Sequence, residues 1–404
     1  MGRDDAHPDD IDWLDVGPDG APGEMTPPRR PWPRWFTLTV VALAAALVVA
    51  ALNYERGGTP SAARGSAAPT TPTSSSTQAG PRTPTTSAPR PAGPAVSVTR
   101  LGRPLLGATT GWELVARGDR VLVRIEPATG RITRTAIPTL LSGGPVYLLA
   151  GEDQVLIRPL DKVPGYLVPD GRPARELPAL LEHDGPVYPG PRPDQMWARP
   201  SDDHQPVMAL MELDGSRLAE FIPIPSENLS FDATADGAGY LLFPGIGGVY
   251  NARPDGLRRI STGSLVAVGP TGWLVTECDD RHRCQSVVID RRDGSRRVVN
   301  AAITGRQQRG VISPDGATAA MLTSARNGAI GLQLLDLATG NRRVLNVSVN
   351  QSYEGAIAFS PDSNWLLAVT VDGTLSVINR KTAAVGSLGV PLPPLSQLVL
   401  RPAR

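Results

Sequence analysis

Short apolar runs, separated by polar turns, fill the last three-quarters of the chain. Between residues 310 and 346 four such runs follow one another, at 310–314, 319–323, 331–337 and 342–346. Residues 356–362, 365–369 and 374–378 repeat the first three. Short runs that alternate apolar and polar residues, bounded by Gly, Asp and Ser, are typical of β-strands. The pattern therefore predicts an all-β domain over residues 96–404, built from four-stranded units.

Glycine turns punctuate these units at a nearly constant distance. Thr-Gly or Asp-Gly pairs recur with glycines 41, 44, 41, 38 and 46 residues apart, and a degraded version stands at 381–383. The glycines are Gly130, Gly171, Gly215, Gly256, Gly294 and Gly340. A repeat of about 40–45 residues made of strands is typical of a β-propeller, in which each repeat forms one blade. The length of the domain then predicts a seven-bladed β-propeller.

Two segments of the sixth unit carry a family resemblance. Residues 312–316 read Ile-Ser-Pro-Asp-Gly and residues 336–340 read Asp-Leu-Ala-Thr-Gly. The chain here resembles the WD40-like repeat of TolB-type propellers, although Ser363 replaces the glycine in the last unit. The resemblance is specific over about 80 residues and implies a propeller used for protein–protein contact in the cell envelope.

The first and last units look like two halves of one blade. The first unit has no good opening strand, and a spare apolar run, 397–402, follows the seventh unit. We expect this C-terminal run to close the ring, which would remove exposed strand edges. An alternative places residues 96–99 as an outer strand of the last blade.

The first 95 residues differ in composition from the rest. Residues 1–34 are polar and acidic, and 36–52 carry no charge. Residues 55–95 are rich in Pro, Ser and Thr and lack large apolar side chains. We interpret these segments as a disordered cytoplasmic tail (1–34), one transmembrane helix (35–54) and an extended linker (55–95). The alternative is a cleaved signal peptide.

Flanking charge orients the predicted helix. Arg29, Arg30 and Arg34 precede it, whereas only Arg56 follows closely. The excess of positive charge indicates a cytoplasmic N-terminus and an extracytoplasmic propeller. The acidic tail can also be read as a docking segment for a cytoplasmic partner, with disorder as the default.

With 40 basic against 39 acidic side chains, the chain shows no electrostatic field that would attract nucleic acid.

The chain has two cysteines, Cys278 and Cys284, which bracket a short loop between two strand-like runs. A disulfide across the base of that loop fits an oxidising compartment. The alternative is metal binding by two thiolates together with His282. We expect the disulfide, no metal site and no cofactor.

Catalytic motifs are scarce. The sequence has no Gly-x-Ser-x-Gly elbow, no His-Glu-x-x-His motif and no phosphate-binding loop. A hydrolase that uses carboxylates on the propeller rim remains the alternative function, because paired acids on different blades have no fixed spacing in the sequence by which to recognise them.

Histidines and acids cluster in loops that the strand assignment places on one face. The simplest interpretation is solvated loop residues; the alternative is a ligand-binding or metal-binding patch. The candidates are Glu182, His183, Asp184, Asp202, Asp203, His204, Asp279, Asp280, His282 and Arg283.

These features together predict a single-pass membrane protein. Its extracytoplasmic propeller would act as a non-enzymatic binding module for an envelope protein or surface ligand, with the lipid bilayer contacted through residues 35–54.

Overall fold

A computed structural model describes the C-terminal three-quarters of the chain with short gaps. The described residues are 95–108, 111–139, 145–160, 163–177, 183–200, 206–225, 233–245, 247–300, 307–324, 330–350 and 355–402. The predicted tail (1–34), transmembrane helix (35–54) and nearly all of the linker (55–95) lie outside these ranges. Within the ranges, no helix is long and apolar enough to cross a membrane.

All regular structure in the described residues is β-strand. The first strands are β1 (Val96–Arg100), β2 (Trp112–Gly118), β3 (Val121–Glu126), β4 (Arg131–Ala136), β5 (Val146–Ala150), β6 (Gln154–Pro159), β7 (Gly165–Pro169), β8 (Arg175–Leu177), β9 (His183–Pro189), β10 (Gln195–Pro200), β11 (Val207–Glu212), β12 (Arg217–Pro223), β13 (Thr234–Ala235), β14 (Leu241–Gly245) and β15 (Gly248–Arg253). They are followed by β16 (Gly256–Ser261), β17 (Ser264–Val268), β18 (Gly272–Cys278), β19 (Cys284–Asp290), β20 (Arg296–Val299), β21 (Gln307–Ile312), β22 (Thr318–Ser324), β23 (Ile330–Asp336), β24 (Arg342–Ser348), β25 (Ile357–Phe359), β26 (Trp365–Val369), β27 (Leu375–Asn379), β28 (Val385–Gly386) and β29 (Leu395–Pro402).

The strands form antiparallel sheets in a propeller-like arrangement, but not the seven separate blades that the repeat predicted. Among the described residues, five sheets stand alone: β1-β4-β3-β2-β29 and the four-stranded β5–β8, β9–β12, β13–β16 and β25–β28. The other eight strands form one sheet, because β17 and β21 pair in parallel and join two four-stranded halves. Gly310 lies in this pairing, opposite Ala267.

The middle strands of the sheets are buried on both faces against neighbouring sheets, which explains why they are nearly continuous apolar runs. Leu334 on β23 shares a cluster with Leu366 of the β25–β28 sheet. Met321 and Leu335, on the same four-stranded half, share another cluster with Leu274 on β18. Successive side chains on a strand point to opposite faces, so each middle strand contributes to two cores.

The C-terminal strand closes the ring, as predicted. β29 pairs antiparallel with β2 from Trp112↔Pro402 to Gly118↔Leu395 and supplies the innermost strand that the first unit lacks. Residues 96–99 also take part, since β1 pairs with β4 at the outer edge of the same sheet. Chain segments from both ends of the domain therefore complete one five-stranded sheet.

A buried charge network reinforces this closure. The guanidinium of Arg401, on β29, forms ion pairs with Glu113 on β2 and, at 2.8 Å, with Asp170. Asp170, in the turn after β7, also pairs with Arg124. Arg401 donates a further hydrogen bond to the carbonyl of Gly151. Because Arg401 and Glu113 are only 8% and 7% exposed, water screens this pair little.

Ser363 occupies a backbone position that normally favours glycine. Its φ is 60°, close to the 70° of Gly316 at the equivalent turn. The Ser363 hydroxyl accepts a hydrogen bond of 3.0 Å from the backbone N–H of Asp315 in that neighbouring turn. The serine in the last unit therefore has a structural reason: it links two adjacent turns.

We expect Arg401→Met to lower the free energy of unfolding by about 3–5 kcal/mol, because it leaves Glu113 buried without its cation. Denaturant unfolding of the full-length protein measures the change. Arg172→Met, in an exposed turn, is the matched control and should shift stability by no more than about 0.5 kcal/mol. Equal effects of the two substitutions would show that the network does not stabilise the closure.

At Ser363, two substitutions should separate strain from hydrogen bonding. Ser363→Ala keeps the left-handed backbone and loses the link to Asp315, which should cost about 1 kcal/mol of unfolding free energy. Ser363→Gly loses the same bond but relieves about 1 kcal/mol of backbone strain, so it should be nearly neutral. Urea denaturation tests both variants. A glycine variant as destabilised as the alanine variant would contradict this account.

Candidate functional site

The strand order divides the connections between two rims. In each four-stranded group the links from second to third strand, and from the fourth strand to the next group, leave at one end. We call this end the upper rim; residues 279–283 and 370–374 belong to it. The opposite end, the lower rim, carries the remaining hairpin turns, including 170–174 and 213–216. Loops on a rigid scaffold commonly carry recognition, so each rim is a candidate surface.

The structure describes the predicted upper-rim residues in part. His183 begins β9, where its backbone pairs with Pro200, and Asp184 follows it. The side chains of His183 and Asp184 lie outside the described part of the structure, as do Glu182, Asp202, Asp203 and His204. The proposed patch made of all three clusters therefore stays a prediction.

The third cluster, residues 279–283, is a compact hairpin loop. The carboxylate of Asp279 accepts hydrogen bonds from the backbone N–H of Arg281 (3.0 Å) and of Arg283 (2.9 Å). It also pairs with the Arg283 guanidinium at 2.6 Å. The N–H of Arg283, and then its side chain, hold the pKa of Asp279 below its usual range. Asp279 and Arg283 therefore organise their own loop, whereas Asp280 and His282 are exposed.

Cys278 and Cys284 form a disulfide across the base of this loop. They are directly opposed in the β18–β19 register. The two sulfurs are bonded to each other in this structure, whereas metal binding together with His282 would require two free thiolates. No group of three or more His, Cys, Asp or Glu in the described ranges is arranged to hold a metal ion.

We call the first strand of each four-stranded group, together with β29, the inner strands. A cavity of about 390 Å³ lies between these inner strands. Residues of β5, β9, β13, β21, β25 and β29 line it, together with Leu322 of β22 and residues that precede β25. Representative lining residues are Tyr147 (β5), Tyr188 (β9), Thr234 (β13), Val311 (β21), Ile357 (β25) and Val399 (β29). We call this the axial cavity.

The chemistry of the axial cavity is apolar with a few neutral polar groups. Its polar side chains are those of Tyr147, Tyr188, Thr234, Asn350 and Gln397, and no carboxylate, imidazole, ammonium or guanidinium is among its described lining residues. Gln397 is held in place because its Oε1 accepts a 3.0 Å hydrogen bond from Arg117 and its amide donates to the carbonyl of Val146. Such a surface can bind apolar or hydroxyl-bearing groups but offers no acid–base pair.

Sequence reasoning missed this cavity, because its residues are spread over inner strands of different repeats. No local motif marks them. The available signal was the composition of the opening strands, which carry tyrosine beside aliphatic residues at 147–149 and 187–189.

Aspartates of the lower rim belong to turns and ion pairs. The Asp214 carboxylate accepts a 2.9 Å hydrogen bond from the backbone N–H of Ser216, which lowers the pKa of Asp214. Asp170 belongs instead to the network of Arg124 and Arg401. A replacement at Asp170 would therefore disturb the ring closure as well as the surface.

The structure is similar to several solved structures at low sequence identity. TolB from Acinetobacter baumannii is 14% identical, with a TM-score of 0.41 over 72% of this chain; the match spans 66%, just under two thirds, of that protein. AztD from Citrobacter koseri is 11% identical, with a TM-score of 0.39, over 72% of this chain and 98% of that one. A Bacteroides uniformis protein assigned as a 6-phosphogluconolactonase is 12% identical, with a TM-score of 0.45, over 73% and 100%.

TolB proteins are thus among the structural neighbours. No protein-family model matches the sequence, and no curated protein matches it significantly.

Replacing both cysteines, Cys278→Ser with Cys284→Ser, should lower the free energy of unfolding by about 2–3 kcal/mol, because the disulfide closes only a short loop. Reduction of the wild-type protein should produce a similar loss. Alkylation of the protein as isolated from cells, without reductant, checks whether the disulfide is present at the start. Labelling of both cysteines in that experiment would contradict the disulfide and an oxidising location.

Proposed function

We propose that the chain is a single-pass membrane protein whose extracytoplasmic β-propeller is a non-enzymatic binding module of the cell envelope. The ring would comprise seven units, six of four strands and one of five, with the eight-stranded sheet counted as two of the four-stranded units. Its partner would be an envelope protein or a surface ligand.

Charge and hydrophobicity support the membrane topology. Residues 36–52 are uncharged, and Trp35 and Tyr54 stand at opposite ends of the span, where aromatic rings favour the interface. The three arginines within six residues before Trp35 favour a cytoplasmic N-terminus. The linker of 55–95 would then hold the propeller away from the bilayer.

The chemistry of the axial cavity is the observation that favours binding over catalysis. A carboxylate-dependent hydrolase needs an acid that is protonated and a second carboxylate nearby. The described lining of the axial cavity has no carboxylate at all. On the described upper rim, hydrogen bonds keep Asp279 ionised, which suits it to organise a loop and not to donate a proton.

The overall charge argues against a nucleic-acid partner. A net charge of +1 supplies no long-range field for a polyanion. The upper rim, with its mixed charges at 182–184, 202–204 and 279–283, and the axial cavity together fit a protein surface or a neutral ligand better.

Site-specific photo-crosslinking in envelope membranes tests this function on the full-length protein. A benzophenone amino acid replaces Asp280 on the upper rim, Tyr147 in the axial cavity, or Asp255 on the lower rim. We expect one adduct of the same size from positions 280 and 147 and none from 255. The physical reason is that variable loops and the cavity expose side chains, whereas the lower rim is made mostly of tight turns.

Two controls complete the experiment. Val344 on the outer strand β24 is 83% exposed. The same benzophenone amino acid at position 344 measures non-specific crosslinking. Thermal unfolding confirms that each variant keeps its fold. Adducts from position 255 alone would show that binding uses the lower rim. That result would contradict the assignment of binding to the upper rim and the axial cavity.

A further inference from the structure

A second cavity, of about 340 Å³, lies between the β13–β16 sheet and the β17–β20 half of the eight-stranded sheet. Residues of β15 and β16 form one wall. The other wall comes from β18, β19 and β20, with Trp273 and Ile289 almost fully buried at its base. This groove is separate from the axial cavity and from the residues predicted on the upper rim.

Positive charge is concentrated in this groove. Five arginines and a single acid, Asp290, are among its lining residues. The arginines are Arg253, Arg258, Arg259, Arg291 and Arg296, and we call the site the arginine groove. The chain as a whole has a net charge of +1, so this local excess is a distinct feature.

Most of these arginines lack an anionic partner within the described residues. Arg296 forms an ion pair with Glu277. Arg291 donates to a neutral acceptor, the carbonyl of Pro270, at 2.8 Å. The side chains of Arg258 and Arg259 make no hydrogen bond or ion pair with any described residue.

A buried polar chain positions Arg253 ahead of any ligand. The carboxylate of Asp236, which is fully buried, accepts a 3.3 Å hydrogen bond from the Asn251 amide. The carbonyl oxygen of Asn251 in turn accepts a 2.7 Å hydrogen bond from Arg253 Nε. The Arg253 guanidinium also stacks over the ring of Tyr240, 5.5 Å from its centre. The terminal nitrogens of Arg253 are thus left for another acceptor. Because the side chain is already held in place, less of its conformational entropy is lost when a ligand binds.

We propose that the arginine groove binds a small ligand that carries phosphate groups. Guanidinium groups match phosphate oxygens with paired, charge-assisted hydrogen bonds, and several guanidiniums along one groove favour a multiply charged oxyanion over a single carboxylate. The limited volume suits a phosphoester or a headgroup and not an extended polymer. This inference is independent of the partner proposed for the upper rim.

Calorimetric titration of the full-length protein in detergent solution with inorganic pyrophosphate tests the proposal. We expect saturable binding that weakens as salt rises, since screening reduces the attraction. The double variant Arg253→Gln/Arg258→Gln should weaken binding by about tenfold or more for each arginine removed, because both residues lie on the face of β15 and β16 that carries Asn251. Arg172→Gln/Arg192→Gln is the matched control, because it removes the same charge from exposed lower-rim turns outside the groove.

Equal loss of affinity in the groove and control variants would overturn the proposal, since it would show a general charge effect. Absence of pyrophosphate binding to the wild-type protein, or binding of poly-glutamate only, would also overturn it. Should the groove variant unfold, phenylglyoxal modification of the wild-type protein, measured by mass spectrometry, replaces it. Protection of Arg253 and Arg258 by pyrophosphate would support the site, and unchanged modification of both would overturn it.

Short-chain lipids separate the two sources of phosphate. The predicted anchor would insert into vesicles by itself, so co-sedimentation with vesicles cannot report binding to the groove. Short-chain phosphatidylglycerol and phosphatidylcholine are therefore tested as competitors of pyrophosphate, each below its critical micellar concentration. Competition by phosphatidylglycerol alone identifies an anionic lipid headgroup. Competition by neither lipid, with pyrophosphate binding retained, identifies a soluble phosphoester.

Discussion

The pairing of β29 with β2 is the contact on which the rest of the structure depends. A stack of sheets that does not close leaves an unpaired edge and an uncovered apolar face at each end. Here the last strand of the chain supplies the inner strand of the first sheet, and β1 covers its outer edge. Arg401 then ties that strand to Glu113 and to Asp170 of the next sheet. Closure thus fixes the inner strands around the axial cavity, and with them the cavity itself.

Packing on both faces of each sheet has a consequence for where function can lie. The middle strands are committed to two cores, so side chains available for ligands come from inner strands, rims and the outer gaps between sheets. The axial cavity uses the first of these places and residues 279–283 the second. The arginine groove uses the third, since Trp273 and Ile289 belong to the core below while Arg253 and Arg258 line the opening above it.

Local patterns predicted the elements well, and the closure by 397–402 followed from a missing strand in the first repeat. The merging of β17 and β21 had no sequence signal, because parallel pairing depends on how closely inner strands approach. The same limit applies to the functional surfaces. The loop of Cys278 and Cys284 is contiguous and was found, whereas the axial cavity and arginine groove draw residues from different repeats. Only a few positions, such as Ser363, show a local exception whose cause lies in a neighbouring turn.

Net charge was a poor guide to the electrostatics of this protein, for a physical reason. A balance of 40 basic and 39 acidic side chains excludes a strong distant field, but short-range binding depends on which charges have partners. Arg380 is compensated by Asp315 at 2.8 Å, and Arg401 by two carboxylates. Arg258 and Arg259 have no such partner among the described residues, although they lie in a chain that is nearly neutral. Spatial sorting of charge by the fold, and not its total, therefore creates the surface that can select an anion.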